Sequence, residues 1–268
     1  MYAACGIVGK EKCRLSLVFI AQAGYNYTDW LVRKFFLKEV VVVTIDMTQP
    51  KDKRILQAAE EVFSRHGYEK ATLDEIIALA DVGKGTVYKY FGNKEQLFYK
   101  LVADKNAPFV ERLEEAVTGD FSFEEKLKRY FKEMVLFYTA NSTLWQIICF
   151  EMVGASNGCR VEKVDGEFVV TSRYNSLQLT ETFKEQILRY HHLLHAEFDI
   201  LHQLILQAMQ DGLLKKNTMP EICTKFVFFG VAMSIFNPNT DEPNDMPVEQ
   251  AAEIIVDHFL RGNGAEIK

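Results

Sequence analysis

The chain has 268 residues, 48% of them hydrophobic and 25% charged, with a formal net charge of −6. That is the make-up of an ordinary globular protein with ample material for a core, in one or two domains. The charge excludes a generally basic nucleic-acid binder, although it is unevenly spread. Residues 1–46 carry 6 basic and 4 acidic side chains, residues 47–100 carry 9 and 8, and residues 101–268 carry 16 and 25. Any contact with a polyanion would therefore be local rather than wrapped along the molecule.

Residues 1–46 do not fit the rest. Lys10, Lys12 and Arg14 precede a seven-residue apolar run, Leu15–Ala21, and Ala21-Gln22-Ala23 resembles a signal-peptidase site. The run is at the short end for a signal and far too short to span a bilayer. We read 1–46 as an N-terminal extension, a mis-called translation start or a poorly packed appendage, with Met47 as the expected start.

From Lys51 the helical period takes over. Ile55, Ala59, Val62 and Phe63 form the inner stripe of a helix running to about Arg65 and stopped by Gly67. Thr72 is placed to cap the next helix, with Glu75 three residues on closing a capping box. Leu73, Ile76, Ile77 and Ala80 face inward, and Asp81-Val82-Gly83 is short enough only for a tight turn. Lys84 to Phe91 makes a second short helix with Val87 and Phe91 inside. Gly92 ends it, and Asn93 caps a further helix beginning at Lys94. The outer face of Lys84–Phe91 carries Lys84, Gly85, Thr86, Tyr88, Lys89 and Tyr90, a set of cations, hydroxyls and one bare backbone position. Such a face on a helix-turn-helix suits phosphates and base edges of a DNA major groove. An αα-hairpin with a solvated polar face is the plainer alternative, and the pattern alone leaves both open.

The ordered run Ile55-Leu56-Gln57-Ala58-Ala59, Phe63, Gly67, Tyr68, Thr72, Ile76, Ala80, Val82, Lys84-Gly85-Thr86-Val87-Tyr88, Tyr90-Phe91, Lys94 and Leu97 resembles the N-terminal domain of TetR/AcrR transcriptional regulators. It departs at Ile77, Asp81 and Gly83, where that family usually has Ala, Gly and often Ser. The resemblance implies an all-α fold: a three-helix helix-turn-helix domain over 47–93, then a helical bundle over 94–268 for ligand binding and dimerisation. It further implies a homodimer on a double-stranded DNA operator, released by a small apolar effector, with no cofactor and no membrane, in the cytoplasm. Thr72, Lys84, Gly85, Thr86, Tyr88, Lys89, Tyr90 and Lys94 would be the DNA-binding residues.

In the remaining chain Pro108 is expected to divide one helix from another over Phe109–Val117. Helices follow over Phe121–Ala140 and Leu144 to about Ala155. Their large side chains Phe131, Met134, Tyr138, Trp145, Phe150 and Met152 are ordinarily core, but the resemblance makes them candidates to line an effector chamber. The alternation around Asp165-Gly166 predicts a small β-hairpin within 158–176. Thr180–Asp211 reads as the longest helix, Pro220–Phe236 as a buried one, and Val248–Leu260 as a last amphipathic one. By resemblance, helices 180–212 and 248–261 would form the dimer interface. The rival function is an all-α metal enzyme or a metal or pH sensor using His191, His195 and His202, which share a helical face with Asp199. The five cysteines have no CxxC spacing and read as reduced thiols, with a redox sensor at Cys149 or Cys159 as the minor reading. No phosphate-cradling loop, nucleophile elbow or metalloprotease motif is present.

Overall fold

The computed structural model describes residues 45–152, 159–172, 179–215, 219–236 and 246–263, all within one compact unit. The readings placed on residues 1–44 lie outside the described residues. The elements are α1 (Lys51–Lys70), α2 (Leu73–Ala80), α3 (Lys84–Phe91), α4 (Lys94–Val117), α5 (Phe123–Ala140) and α6 (Ser142–Gln146), which runs on into a π-helical turn, Ile147–Met152. Then come β1 (Cys159–Val164), β2 (Glu167–Ser172), α7 (Glu181–Gln210), α8 (Pro220–Phe236) and α9 (Val248–Asn263). The fold is all-α with one small antiparallel hairpin.

Helices α1–α3 form a small head. Ile55, Ala58, Ala59 and Phe63 of α1 meet Ile76 and Ala80 of α2 and Val87 and Phe91 of α3, all buried. Gly67 takes φ 73, ψ 176 and breaks α1 near its end, so the stop expected there is real although helical hydrogen bonding resumes to Lys70. The capping box also forms: Thr72 Oγ1 accepts from the Glu75 amide at 3.2 Å, and the Glu75 carboxylate accepts from the Thr72 amide at 3.0 Å.

Helix α4 joins head to body without interruption, which corrects the expected division at Pro108. The proline removes one backbone donor, a defect of about 3 kcal/mol in an isolated helix. Burial of Asn106, Phe109 and Leu113 on either side of it holds the helix straight through. Among the packed rings, Phe109 stacks on Phe137 of α5 at 3.8 Å between centroids.

The hairpin pairs Cys159 with Ser172 through Val164 with Glu167. Asp165 (φ 51) and Gly166 (φ 90) both take positive φ, the backbone that a two-residue turn matching strand twist requires. Phe168 rests on the histidine face of α7, 4.5 Å from the His191 ring and 4.6 Å from that of His195.

One expectation about the C-terminal helices fails. In the stripe of α7, Ile187, Tyr190, Phe198, Leu201, Ile205 and Met209 are buried within the monomer, while Phe183 and Leu194 are half-buried. Helix α8 is not buried all round: Phe226 is 76% exposed and Phe229 52%, with Ile222 and Met233 also outside. Its apolar residues are spread around the helix, so one side fills the core through Phe228, Val231 and Ala232 while the other faces out. With Ile254 of α9, this side edges a groove of about 520 Å³ between α8 and α9. The uncovered apolar face therefore belongs to α8 and α9. No described helix is long and apolar enough to cross a membrane.

Candidate nucleic-acid interface

The third helix of the head, α3, is held by its neighbours and offers its outer side to solvent. Val87 and Phe91 anchor α3, while Lys84, Gly85, Tyr88, Lys89 and Tyr90 are exposed and Thr86 is half-buried. Tyr88 and Tyr90 are 46% and 53% exposed, an unusual position for rings that could have joined the core. Gly92 ends α3 at φ 74, donating its N–H to the Tyr88 carbonyl. A side chain there would meet Gln96. Gly85 differs, since a Cβ added to it meets nothing within 4 Å. Neither packing nor backbone strain inside the protein calls for a glycine at that position.

The turn before α3 is braced in a way sequence reading missed. Asp81 sits in the left-handed region (φ 51, ψ 57), which Asp tolerates better than most residues. The Arg54 guanidinium, reaching from α1, donates to the Ala80 carbonyl at 2.7 and 3.1 Å and also to that of Asp81. Only the fold brings a residue 26 positions away to this turn. Gly83, the N-cap of α3, supplies no side-chain acceptor and the first turn holds no acidic residue. The N-terminal N–H groups of α3 are thus uncapped by side chains and favour an anion.

The electrostatics of the face are simple. Lys84 Nζ lies 3.1 Å from Asp74 Oδ1, and this hydrogen bond, with the carboxylate charge, raises the lysine pKa. Both groups are exposed, so the pair contributes little, and a phosphate can displace it. Thr72 is exposed, but its hydroxyl is engaged with Glu75. Lys94 is placed otherwise than the other cations. Its ammonium donates to the carbonyls of Tyr68 (2.9 Å), Glu69 (3.3 Å) and Ala71 (3.2 Å) and lies 4.5 Å from the Tyr68 ring centroid. It ties the start of α4 to the end of α1, and a phosphate contact there would have to draw it from those carbonyls.

Behind the head, α4 is clamped to α7. Phe98 packs against Phe63 and Tyr68 of the head at 4.9 and 5.3 Å and against Tyr190 of α7 at 6.3 Å. Arg189 of α7 pairs with Glu95 at 2.9 Å and covers the Tyr99 ring. The root of the head is thus joined to α7 through a charged pair and five rings.

Residues 55–101 match the family model described as bacterial regulatory proteins, tetR family. The match covers the head and the start of α4, which resemble that family. Over 79 residues it is 38% identical to the fatty acid metabolism regulator protein of Bacillus subtilis, covering 30% of this chain and 41% of that one. Over 83 residues it is 36% identical to the uncharacterized HTH-type transcriptional regulator YhgD of the same organism, covering 31% and 44%. The matched region thus spans less than half of those relatives. The fold extends further. A tetR-family regulatory protein from Rhodococcus RHA1 superposes with a TM-score of 0.62 at 17% identity, over 82% of this chain and all of the other. The regulator FadR from Bacillus subtilis, solved with stearoyl-CoA, superposes at 0.58 with 20% identity, over 78% and 97%. At such identities the likeness is one of fold: the tetR bundle as well as the tetR head.

The candidate chamber residues Phe131, Met134, Tyr138 and Trp145 are all buried in the bundle, and the side chains of Phe150 and Met152 lie outside the described part. Tyr130 and Tyr138 both reach Glu197 of α7: Tyr130 donates to its backbone carbonyl at 2.9 Å, and Tyr138 to its carboxyl group. Glu197 was missed, because a glutamate on a long amphipathic helix ordinarily faces water.

The three histidines of the rival reading do not converge. His191 is half-buried beneath Phe168, His195 pairs with Asp199 at 2.9 Å, and His202 with Thr224 at 3.1 Å. Burial and the neighbouring His195 lower the His191 pKa to about 4. Among the described residues no group of three His, Cys, Asp or Glu could hold a metal.

Proposed function

We propose that this protein is a one-component transcriptional regulator: a homodimer, residing in the cytoplasm, that represses from a two-fold DNA operator and is released by a small apolar molecule. Residues 47–93 are the reading head and 94–268 the effector-binding and dimerisation body. The observation that carries the reading is the outer face of α3, where two tyrosines, two lysines and a clash-free glycine are exposed and only Lys84 makes an ion pair, itself exposed. Lys84, Lys89 and the uncapped start of α3 take phosphates. Gly85, Thr86 and Tyr88 approach base edges, with Tyr90 and Thr72 at the margin.

The uncovered face of α8 and α9 supports dimerisation. Apolar surface of that kind is covered in solution, and a second copy related by a two-fold axis covers it with the same residues. An effector that enters the bundle and moves α7 would act on α4 through Arg189, Glu95 and Tyr190, altering the separation of the two heads. DNA and effector then oppose each other reciprocally. The fatty-acid regulator among the relatives and the acyl-CoA complex of a fold neighbour support an apolar effector. Nothing in the sequence or the tetR fold supports an enzyme.

Selection from a library of random duplexes tests the reading. We expect a two-fold sequence with half-sites about 34–36 Å apart, or a multiple of that distance, bound with strong salt dependence. Failure to enrich any duplex, or enrichment of a lone asymmetric half-site by a monomer, would refute it.

A further inference from the structure

Several buried polar atoms of the body lack a hydrogen-bond partner, and among them one belongs to the wholly buried carboxyl of Glu197. Glu197 is wholly buried, and so is its carboxyl. Tyr138 bonds one carboxyl oxygen; the other, Oε1, has no hydrogen-bond partner. One turn earlier on α7, Asn106 of α4 donates to the Leu193 carbonyl at 3.3 Å, while its own Oδ1, also buried, is without a partner. Glu197 faces α5 and Asn106 lies between α4 and α7, so the two open acceptors stand one turn apart along α7 but against different helices. A buried polar atom without a partner costs roughly 1–3 kcal/mol, and a carboxyl group more. The titratable groups facing Glu197 are Tyr130 and Tyr138 of α5 and Cys149 of the π-helical turn; burial raises the pKa of all three and keeps them neutral, and none of these groups can carry a positive charge. The remaining wall is aromatic, with Trp145 6.3 Å from Tyr138 between ring centroids.

We infer that Glu197 is the polar anchor of the effector site and that the effector is an apolar amine, whose ammonium group donates to Glu197 Oε1 and lies against the faces of Trp145 and Tyr138. The inference rests on the effector reading given above and names the chemical class of the ligand. An ammonium supplies the donor that Glu197 Oε1 lacks, and the ring faces of Trp145, whose own Nε1 is also without a partner, and Tyr138 stabilise a desolvated cation. A carboxylate ligand would set a second acid beside the first. The π-helical turn carrying Cys149 lies beside Glu197, and such turns are often found at functional sites. Binding is balanced in protons: the ammonium enters charged, Glu197 gives up its carboxyl proton to solvent, and a buried ion pair forms.

The experiment uses the full chain and three ligands with the same ten-carbon tail: decylamine, decanol and decanoate. Calorimetry at pH 7 in two buffers of different ionisation enthalpy reads both affinity and proton release. Burial holds the Glu197 pKa up at about 8 in the free protein, so decylamine binding should release about one proton and decanol binding none. Decylamine should bind more tightly than decanol, and decanoate least. Glu197→Gln should weaken decylamine at least about tenfold, the loss expected when one partner of a buried pair is removed, with little effect on decanol. If the variant does not fold, proton release by the wild type decides. Decanol binding with no preference for the amine, no proton release, or an unaltered amine affinity in Glu197→Gln would overturn the inference and leave the effector reading standing. Failure of all three ligands to bind would remove both.

Discussion

Replacing Gly85 by alanine separates what the fold needs from what DNA contact needs. Gly85 lies in the first turn of α3, exposed, and the added methyl group meets nothing within 4 Å. Inside the protein the change should therefore help, because alanine loses less backbone freedom in a helix. The gain is about 0.5–1 kcal/mol, or a rise in melting temperature of roughly 1–4 °C for a chain of this size. Against DNA the same methyl group stands where backbone must approach sugar and phosphate. Displacing α3 from the groove by even ~1 Å lengthens several hydrogen bonds at once, and we expect affinity to fall by tenfold or more, about 1.4 kcal/mol. Thermal melting and fluorescence anisotropy on a selected duplex, at one fixed salt concentration, give the two numbers. Opposite signs are the expected result. A stabilised variant that binds DNA as well as the wild type would show that this face does not enter a groove.

Lys84→Ala should weaken DNA binding evenly across sequences and make the log–log salt slope shallower by about one, with the melting temperature little changed because its ion pair is exposed. Lys94→Ala should do the reverse in the melt, costing on the order of 1–2 kcal/mol by leaving three carbonyls of α1 without their donor; an unchanged melting temperature would mean the brace is idle. Phe226→Asp should yield a monomer by analytical ultracentrifugation while keeping the helical circular dichroism signal, since the ring is mostly exposed within one chain; a persistent dimer would move the interface away from α8. Stability should depend on pH through two groups of opposite sign. His191 has a lowered folded pKa, so its contribution is lost as pH falls below about 6.5 towards 4. Glu197 has a raised one, so its stabilising neutral form is lost as pH rises from about 4.5 to about 8. Above pH 6.5 only the second remains, and stability should drop by roughly 2 kcal/mol between pH 6.5 and 8 in chemical denaturation. Glu197→Gln should flatten that limb, and an equal slope in both proteins would count against a neutral buried carboxyl.

What could be read from the chain alone was whatever rests on short-range chemistry. Thr72 and Glu75 close their box within one turn of helix, Asp165-Gly166 set a hairpin by their own backbone preferences, and the α3 face is legible because eight residues display it. The tetR head was visible for the same reason. Tertiary structure decided whatever depends on competition between distant groups. Packing carried α4 through Pro108 against the local preference, and burial by α4, α5 and α8 covered most of the α7 stripe while leaving apolar side chains of α8 and α9 exposed. Arg54 braces the turn, Lys94 closes the end of α1, and Glu197 turns inward to Tyr138. None of these could be foreseen, because a polar side chain on an amphipathic helix faces water by default, and only the neighbours supplied by the fold make burying it bearable.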